Sequence, residues 1–118
     1  MILELGGVYT VAFPGDLKKP RPGILLQADE FIDAHRTVLM CPLTTYRSNA
    51  SLFRPPLSPN SQNGLERASE VMVDKITPVK KDVIGARIGA LTSPELGAVY
   101  SALINITGIP RAIFKEGS

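Results

Sequence analysis

Thr92-Ser93-Pro94-Glu95-Leu96-Gly97-Ala98-Val99-Tyr100-Ser101-Ala102-Leu103-Ile104-Asn105-Ile106-Thr107-Gly108 decides the fold class, because the hydrophobic period changes there. Leu96, Val99, Tyr100, Leu103 and Thr107 recur at helical spacing, with Ile106 beside them. Thr92 supplies a cap, Pro94 suits the first turn, Glu95 completes a capping box, and Gly108 followed by Pro110 ends the run. The spacing predicts one C-terminal amphipathic helix over about residues 93–107.

Upstream of that helix the chain reads as short strands between turns. Val8–Phe13 is β-rich and closes on the breaker pair Pro14-Gly15. Pro20-Arg21-Pro22 then holds Lys19 and Arg21 extended and feeds a second strand, Gly23–Gln27. Residues 28–33 are enough for one helical turn. Thr37–Cys41 is nearly continuously apolar, the mark of a strand buried on both faces. Further strands are expected near 52–57, over Glu70–Val73 and over Ile84–Leu91, with Asp74–Lys81, which contains Pro78, between the last two.

The 118 residues fit one domain, 1–118. At 44% apolar and 20% charged they match an ordinary globular chain and exclude a disordered or fibrous one. Ten glycines and ten prolines favour many turns and a β-rich fold. No apolar run reaches the roughly 18 residues a membrane span needs, and Met1–Phe13 carries no basic leader, so neither a membrane protein nor a secreted precursor is expected. A single cysteine, Cys41, allows no internal disulfide or cysteine cluster and suits a reducing cytoplasm. In an apolar strand it reads as core. His35 is the one histidine and reads as a surface turn residue, so no histidine-based metal site is expected; CxxC, GxSxG, Walker and GxGxxG patterns are missing too.

A net charge of +2 implies no nucleic-acid partner by itself. Its distribution is more informative: from Ala34 to Gly64 there is no acid, while Arg36, Arg47 and Arg54 lie there, so a surface built from this stretch would be positive. Residues 44–63 are polar and proline-rich, as functional loops commonly are. Arg21, Thr44 (with Thr45) and Asp74 each stand at the end of an expected strand, where side chains leave the core. Each also has an ordinary role open to it: a solvated loop arginine, a turn-capping threonine, a turn acid or partner of Lys75. Composition and spacing do not choose.

Gly7–Phe13, then Arg21-Pro22-Gly23-Ile24-Leu25-Leu26-Gln27-Ala28-Asp29, then Thr37–Cys41 with Pro42-Leu43-Thr44, resemble in order the opening, the "RP" strand and the "PLT" strand of the MazF/PemK toxin family. Val73-Asp74-Lys75-Ile76-Thr77 is similar to that family's "D-Q-I-R-T" segment, and Ile88-Gly89-Ala90-Leu91-Thr92 with the helix to its ending. The resemblance runs from Gly6 to Gly108. It implies a small SH3-like β-barrel with a C-terminal helix, a homodimer, and a metal-independent, cofactor-free ribonuclease that cuts single-stranded RNA at short sequences and is neutralised by a cognate antitoxin protein.

By the same resemblance the catalytic arginine falls on Arg21, the threonine on Thr44, and the acid of the PemK/Kid branch on Asp74. Gly7 stands where the family usually has an acid, Met72 where that branch has its arginine, and the Pro14–Pro20 loop is short. These departures favour a centre on Arg21 and Thr44. The chemistry suits the residue types, since RNA carries its own nucleophile in the 2′-hydroxyl. A guanidinium matches the phosphate fork, and a threonine hydroxyl can donate to a developing oxyanion. Arg21 is assigned phosphate clamping and acid work; Asp74 is the candidate base or a positioning group. Arg36, Thr45, Arg47 and Arg54 would guide the RNA, with Tyr46 or Phe53 available for base stacking. Two rival readings place other functions on the same fold: a non-enzymatic gyrase inhibitor like the CcdB toxins, and a catalytically silent RNA- or protein-binding module.

Overall fold

A computed structural model describes residues 2–15 and 19–109. The Pro14–Pro20 loop lies partly outside the described residues. Seven strands, all antiparallel to their partners, form one curled sheet: β1 (Gly7–Val11), β2 (Arg21–Leu25), β3 (Thr37–Thr44), β4 (Pro56–Leu57), β5 (Ser69–Val71), β6 (Thr77–Lys80) and β7 (Ile84–Ala90). Their order is β4-β5-β3-β2-β1-β7, with β6 also on β3. The result is a half-barrel carrying one helix, α1 (Ser93–Thr107). The expected mainly-β fold with a helix over 93–107 therefore holds.

The strand period of two explains the core. Val8, Ile24, Cys41 and Leu43 project to one face and join Val71, Val73, Val99 and Ala102. Tyr9, Val11, Leu25, Val38 and Met40 project to the other, with Phe13, Val79 and Ile84. Both faces of β3 are thus covered from Met40 to Leu43, a window shifted toward the C-terminal end from the Thr37–Cys41 that the sequence predicts. Leu39 differs: it follows the parity of Cys41 and Leu43 but lies beyond their cluster, and is 39% exposed.

The helix starts as its sequence dictates. The Thr92 N–H donates to Glu95 Oε1 at 2.8 Å and the Glu95 N–H to Thr92 Oγ1 at 3.3 Å, closing the capping box. It ends at Gly108, whose φ of 69° is left-handed and suits glycine. Its buried stripe is narrower than expected: Val99 and Ala102 are buried, Leu96 and Leu103 pack on them, and Tyr100, Ile106 and Thr107 face outward. The single helical turn expected over 28–33 is a 3-10 turn at Asp29–Phe31.

Three strands depart from expectation, and the first is β5, which ends at Val71 with Val73 already in a 3-10 turn where the sequence predicts a strand over Glu70–Val73. Near 52–57 only Pro56–Leu57 pairs, because residues 50–54 close a turn in which Phe53 and Arg54 N–H both donate to Ala50 O. β6 was not expected. Pro78 argues against a central strand, but β6 pairs with β3 alone, so one edge needs no N–H. β3 is the strand on which the sheet is built. One of its edges holds β2, and the other is divided between β6 (on Thr37–Met40) and β5 (on Leu43 and Thr44).

Candidate active site

The β2–β3 ladder pairs Gly23 with Pro42, Ile24 with Cys41 and Leu25 with Met40. Arg21 and Thr44 each stand two positions beyond the Gly23–Pro42 pair, at the same end of neighbouring strands and on the same parity. Both are half-buried. Thr44 Oγ1 accepts the Tyr46 N–H at 3.1 Å, which leaves the hydroxyl proton free to donate elsewhere. A cleft of about 390 Å³ opens beside this strand end, walled by Pro22, Thr44, Thr45, Leu65, Glu66 and Arg67.

Asp74 lies in a 3-10 turn at Val73–Lys75, directly after β5. Its carboxylate is gripped by Arg54, with Nε to Oδ1 at 2.9 Å and Nη2 to Oδ2 at 3.1 Å. That guanidinium holds Asp74 below the usual carboxylate range, and Lys75 adds to the effect. A carboxylate so stabilised is a weak proton acceptor. Met72 is buried, so position 72 contributes no charge here; the cation beside Asp74 comes from the loop before β4.

The acid-free stretch from 34 to 64 does not stay acid-free in three dimensions. Arg54 is engaged by Asp74, and Glu70, opposite Thr44 on β5, accepts the Ser48 hydroxyl at 2.7 Å and the Ser48 N–H at 3.2 Å. The Ser48 hydroxyl keeps Glu70 below its ordinary value. Thr45, Tyr46 and Arg47 are exposed beside Thr44, Tyr46 at 69%, while Phe53 is half-buried in the turn after them. Arg36 stands apart. It precedes β3 at the end opposite Thr44, about 26 Å away at roughly 3.3 Å per residue, and borders a separate depression with Lys80 and Lys81.

Gly7 packs under the ring of Tyr9: a Cβ there would come within 2.5 Å of the tyrosine oxygen. No acid fits while Tyr9 is buried with its hydroxyl donating to Ile2 O at 3.1 Å and accepting from Glu4 N–H at 3.0 Å. Cys41 is buried, and burial, with Asp74 nearby, pushes its thiol up to about 12. His35 is exposed, with Nδ1 2.7 Å from Phe31 O. Among the described residues no three His, Cys, Asp or Glu side chains gather as a metal site.

Sequence reasoning missed Glu66, Arg67 and Asn63. The charged pair stands one residue past Asn63-Gly64, a turn signal that marks where a loop comes back to the sheet. Asn63 is fully buried and ties that loop down: its Oδ1 accepts from the Asn60 and Leu65 N–H groups, and its Nδ2 donates to Ser58 O and to Glu95 Oε2.

The small curled sheet with a C-terminal helix recurs among solved structures. A mycobacterial protein described as an endoribonuclease in complex with its cognate antitoxin superposes with a TM-score of 0.78 at 22% identity, over 92% of this chain and 98% of that one. A MazF from Deinococcus radiodurans gives 0.76 at 17% identity, over 92% and 98% of the two chains. Residues 4–107 match the family described as "PemK-like, MazF-like toxin of type II toxin-antitoxin system", and the chain belongs to it. It is also 35% identical, over 91% of its own length and 98% of the relative's, to a probable endoribonuclease MazF of Mycolicibacterium smegmatis.

Proposed function

We propose that this chain is a toxin endoribonuclease that cleaves single-stranded RNA at short sequences, through attack of the 2′-hydroxyl on its own phosphate, without a metal. The supporting observation is the shared register of Arg21 and Thr44 at one end of β2 and β3, beside a cleft. Water takes the 2′-hydroxyl proton as that oxygen attacks; Arg21 clamps the scissile phosphate with its planar fork and protonates the leaving 5′-oxygen, recovering its proton from solvent, while Thr44 hydrogen-bonds a phosphate oxygen through its free hydroxyl proton. Asp74, held as a carboxylate by Arg54, positions that guanidinium toward the RNA. Thr45, Tyr46 and Arg47 carry the strand onward. Arg36, at the far end of β3, meets only a longer RNA.

The family supports a cognate antitoxin as partner, and one structural neighbour is described in complex with its own. Its inhibitory segment is acidic and flexible, folding over the strand end that carries Arg21, so binding weakens with salt. The chain pairs as a homodimer, which fits the exposed Gly97, Tyr100 and Ile104 along one side of α1. It acts in the cytoplasm, where its RNA is found.

The test is incubation of purified protein with a long RNA in EDTA, together with a gyrase supercoiling assay. Discrete fragments ending in 2′,3′-cyclic phosphate and 5′-hydroxyl, with gyrase untouched, are expected. Gyrase inhibition without RNA cleavage would turn the assignment to the CcdB-like alternative.

A further inference from the structure

We propose that the cleft beside Thr44 is a nucleobase pocket that selects guanine, with Glu66 and Arg67 as the specificity-determining side chains. The inference rests on the endoribonuclease reading and deepens it.

The pocket adjoins the catalytic pair through Thr44, which with Thr45 forms part of its wall; Arg21 is not among its lining residues, so a base seated there neighbours the scissile phosphate from the Thr44 side. Its volume of about 390 Å³ lies at the lower end for ligand sites and suits one base with its ribose. Pro22 and Ile88 supply apolar surfaces for the faces of a planar ring. Glu66 and Arg67 supply the polar edge. Both are exposed, and neither has a salt-bridge partner among the described residues.

Those two groups together choose the base. A carboxylate accepts two hydrogen bonds side by side, and guanine presents two adjacent donors, N1–H and the N2 amino group. A guanidinium donates in a fork, and guanine presents two adjacent acceptors, O6 and N7. Adenine would set its N1 acceptor against the carboxylate and its N6 amino group against the guanidinium. Uracil offers a single N3–H, and cytosine an amino group flanked by an acceptor.

The wall that carries them is rigid, as a discriminating pocket requires. Gly64, at φ 70°, packs against the backbone of Ile88, an approach that leaves no room for a Cβ. The Ala90 N–H donates to Gln62 O at 2.9 Å, Gln62 Nε2 donates to Leu91 O at 3.2 Å, and Asn63 is anchored to Glu95. The loop is thus fastened to both β7 and α1.

The experiment has two arms on wild type, Glu66→Gln and Arg67→Ala. In the first, the ends left on a mixed RNA pool are mapped; wild-type sites should share one guanine at a fixed position, and each variant should lower the preference for guanine over adenine there about 10- to 100-fold. In the second, binding of GMP and AMP is titrated, with GMP favoured by wild type and the preference lost in Glu66→Gln. RNA cleavage with no fixed guanine, or with the wild-type preference kept in both variants, overturns the pocket and leaves the endoribonuclease standing. No cleavage at all, with GMP still favoured over AMP through Glu66, overturns the endoribonuclease and upholds the pocket; equal binding of the two nucleotides in that case overturns both.

Discussion

Arg54 and Asp74, twenty positions apart in the chain, meet in a two-point ion pair, Nε to Oδ1 at 2.9 Å and Nη2 to Oδ2 at 3.1 Å. Fork-to-fork geometry of this kind is the strong form of a charge-assisted hydrogen bond. It ties the loop before β4 to the turn after β5.

The pair sets a pH dependence of stability. Asp74 titrates below its unfolded value of about 3.9 because Arg54 stabilises the carboxylate. Its contribution is therefore complete above that unfolded value and disappears as pH falls through the lowered folded one. Urea unfolding of Asp74→Asn should show a loss of about 0.5–1.5 kcal/mol at pH 7, with the difference from wild type closing as the solution is taken toward pH 2.

Replacing Arg21 by Ala should slow RNA cleavage by a factor on the order of 10² to 10³, with Thr44→Ala costing less. Arg21→Lys keeps the charge and loses the planar fork, so it should remain strongly impaired. Neither position is in the core, and unfolding free energies should stay within roughly 0.5–1 kcal/mol of wild type. Single-turnover kinetics alongside denaturant melts separates the two effects. A wild-type rate in Arg21→Ala would remove the phosphate clamp from β2. Arg111, past the helix and outside every motif, lies outside the described residues.

Asn63→Ala should destabilise the fold by about 2–4 kcal/mol, because four hydrogen bonds converge on a buried amide and their partners would be left unpaired. Thermal unfolding measures this.

Cys41 should resist thiol reagents in the folded protein. Its thiol is buried, and its value near 12 leaves almost no thiolate at neutral pH. Labelling with a chromogenic disulfide should proceed only in denaturant; fast labelling of the native chain would place Cys41 at the surface.

The local elements were legible because local chemistry makes them. Thr92, Pro94, Glu95 and Gly108 fix both ends of α1 without help from the rest of the chain. β6 was not, because a proline disqualifies a strand only when both edges are paired, and which strand lies at an edge is a tertiary fact. The outward turn of Tyr100 has the same origin: helical spacing says which residues share a face, and the sheet beneath decides how wide a stripe it covers. In the site, the strand-end position of Arg21 follows from Pro20 and Pro22 on either side of it, and that of Thr44 from the polar, proline-rich stretch that begins there. The Arg54–Asp74 pair spans two loops, and no periodicity reports a contact of that range.

β3 exchanges its neighbour between Met40 and Leu43, from β6 to β5, while its opposite edge stays on β2. The strand thereby works as a fixed rail with a replaceable bank. The segment from Ser58 to Arg67, which walls the cleft, contributes nothing to the β2–β3 ladder that carries Arg21 and Thr44. Lineages of this family could therefore exchange that segment and acquire new target sequences while the reaction geometry stays constant, and a chimaera carrying a relative's 58–67 segment should inherit the relative's cutting site on this chain's own chemistry.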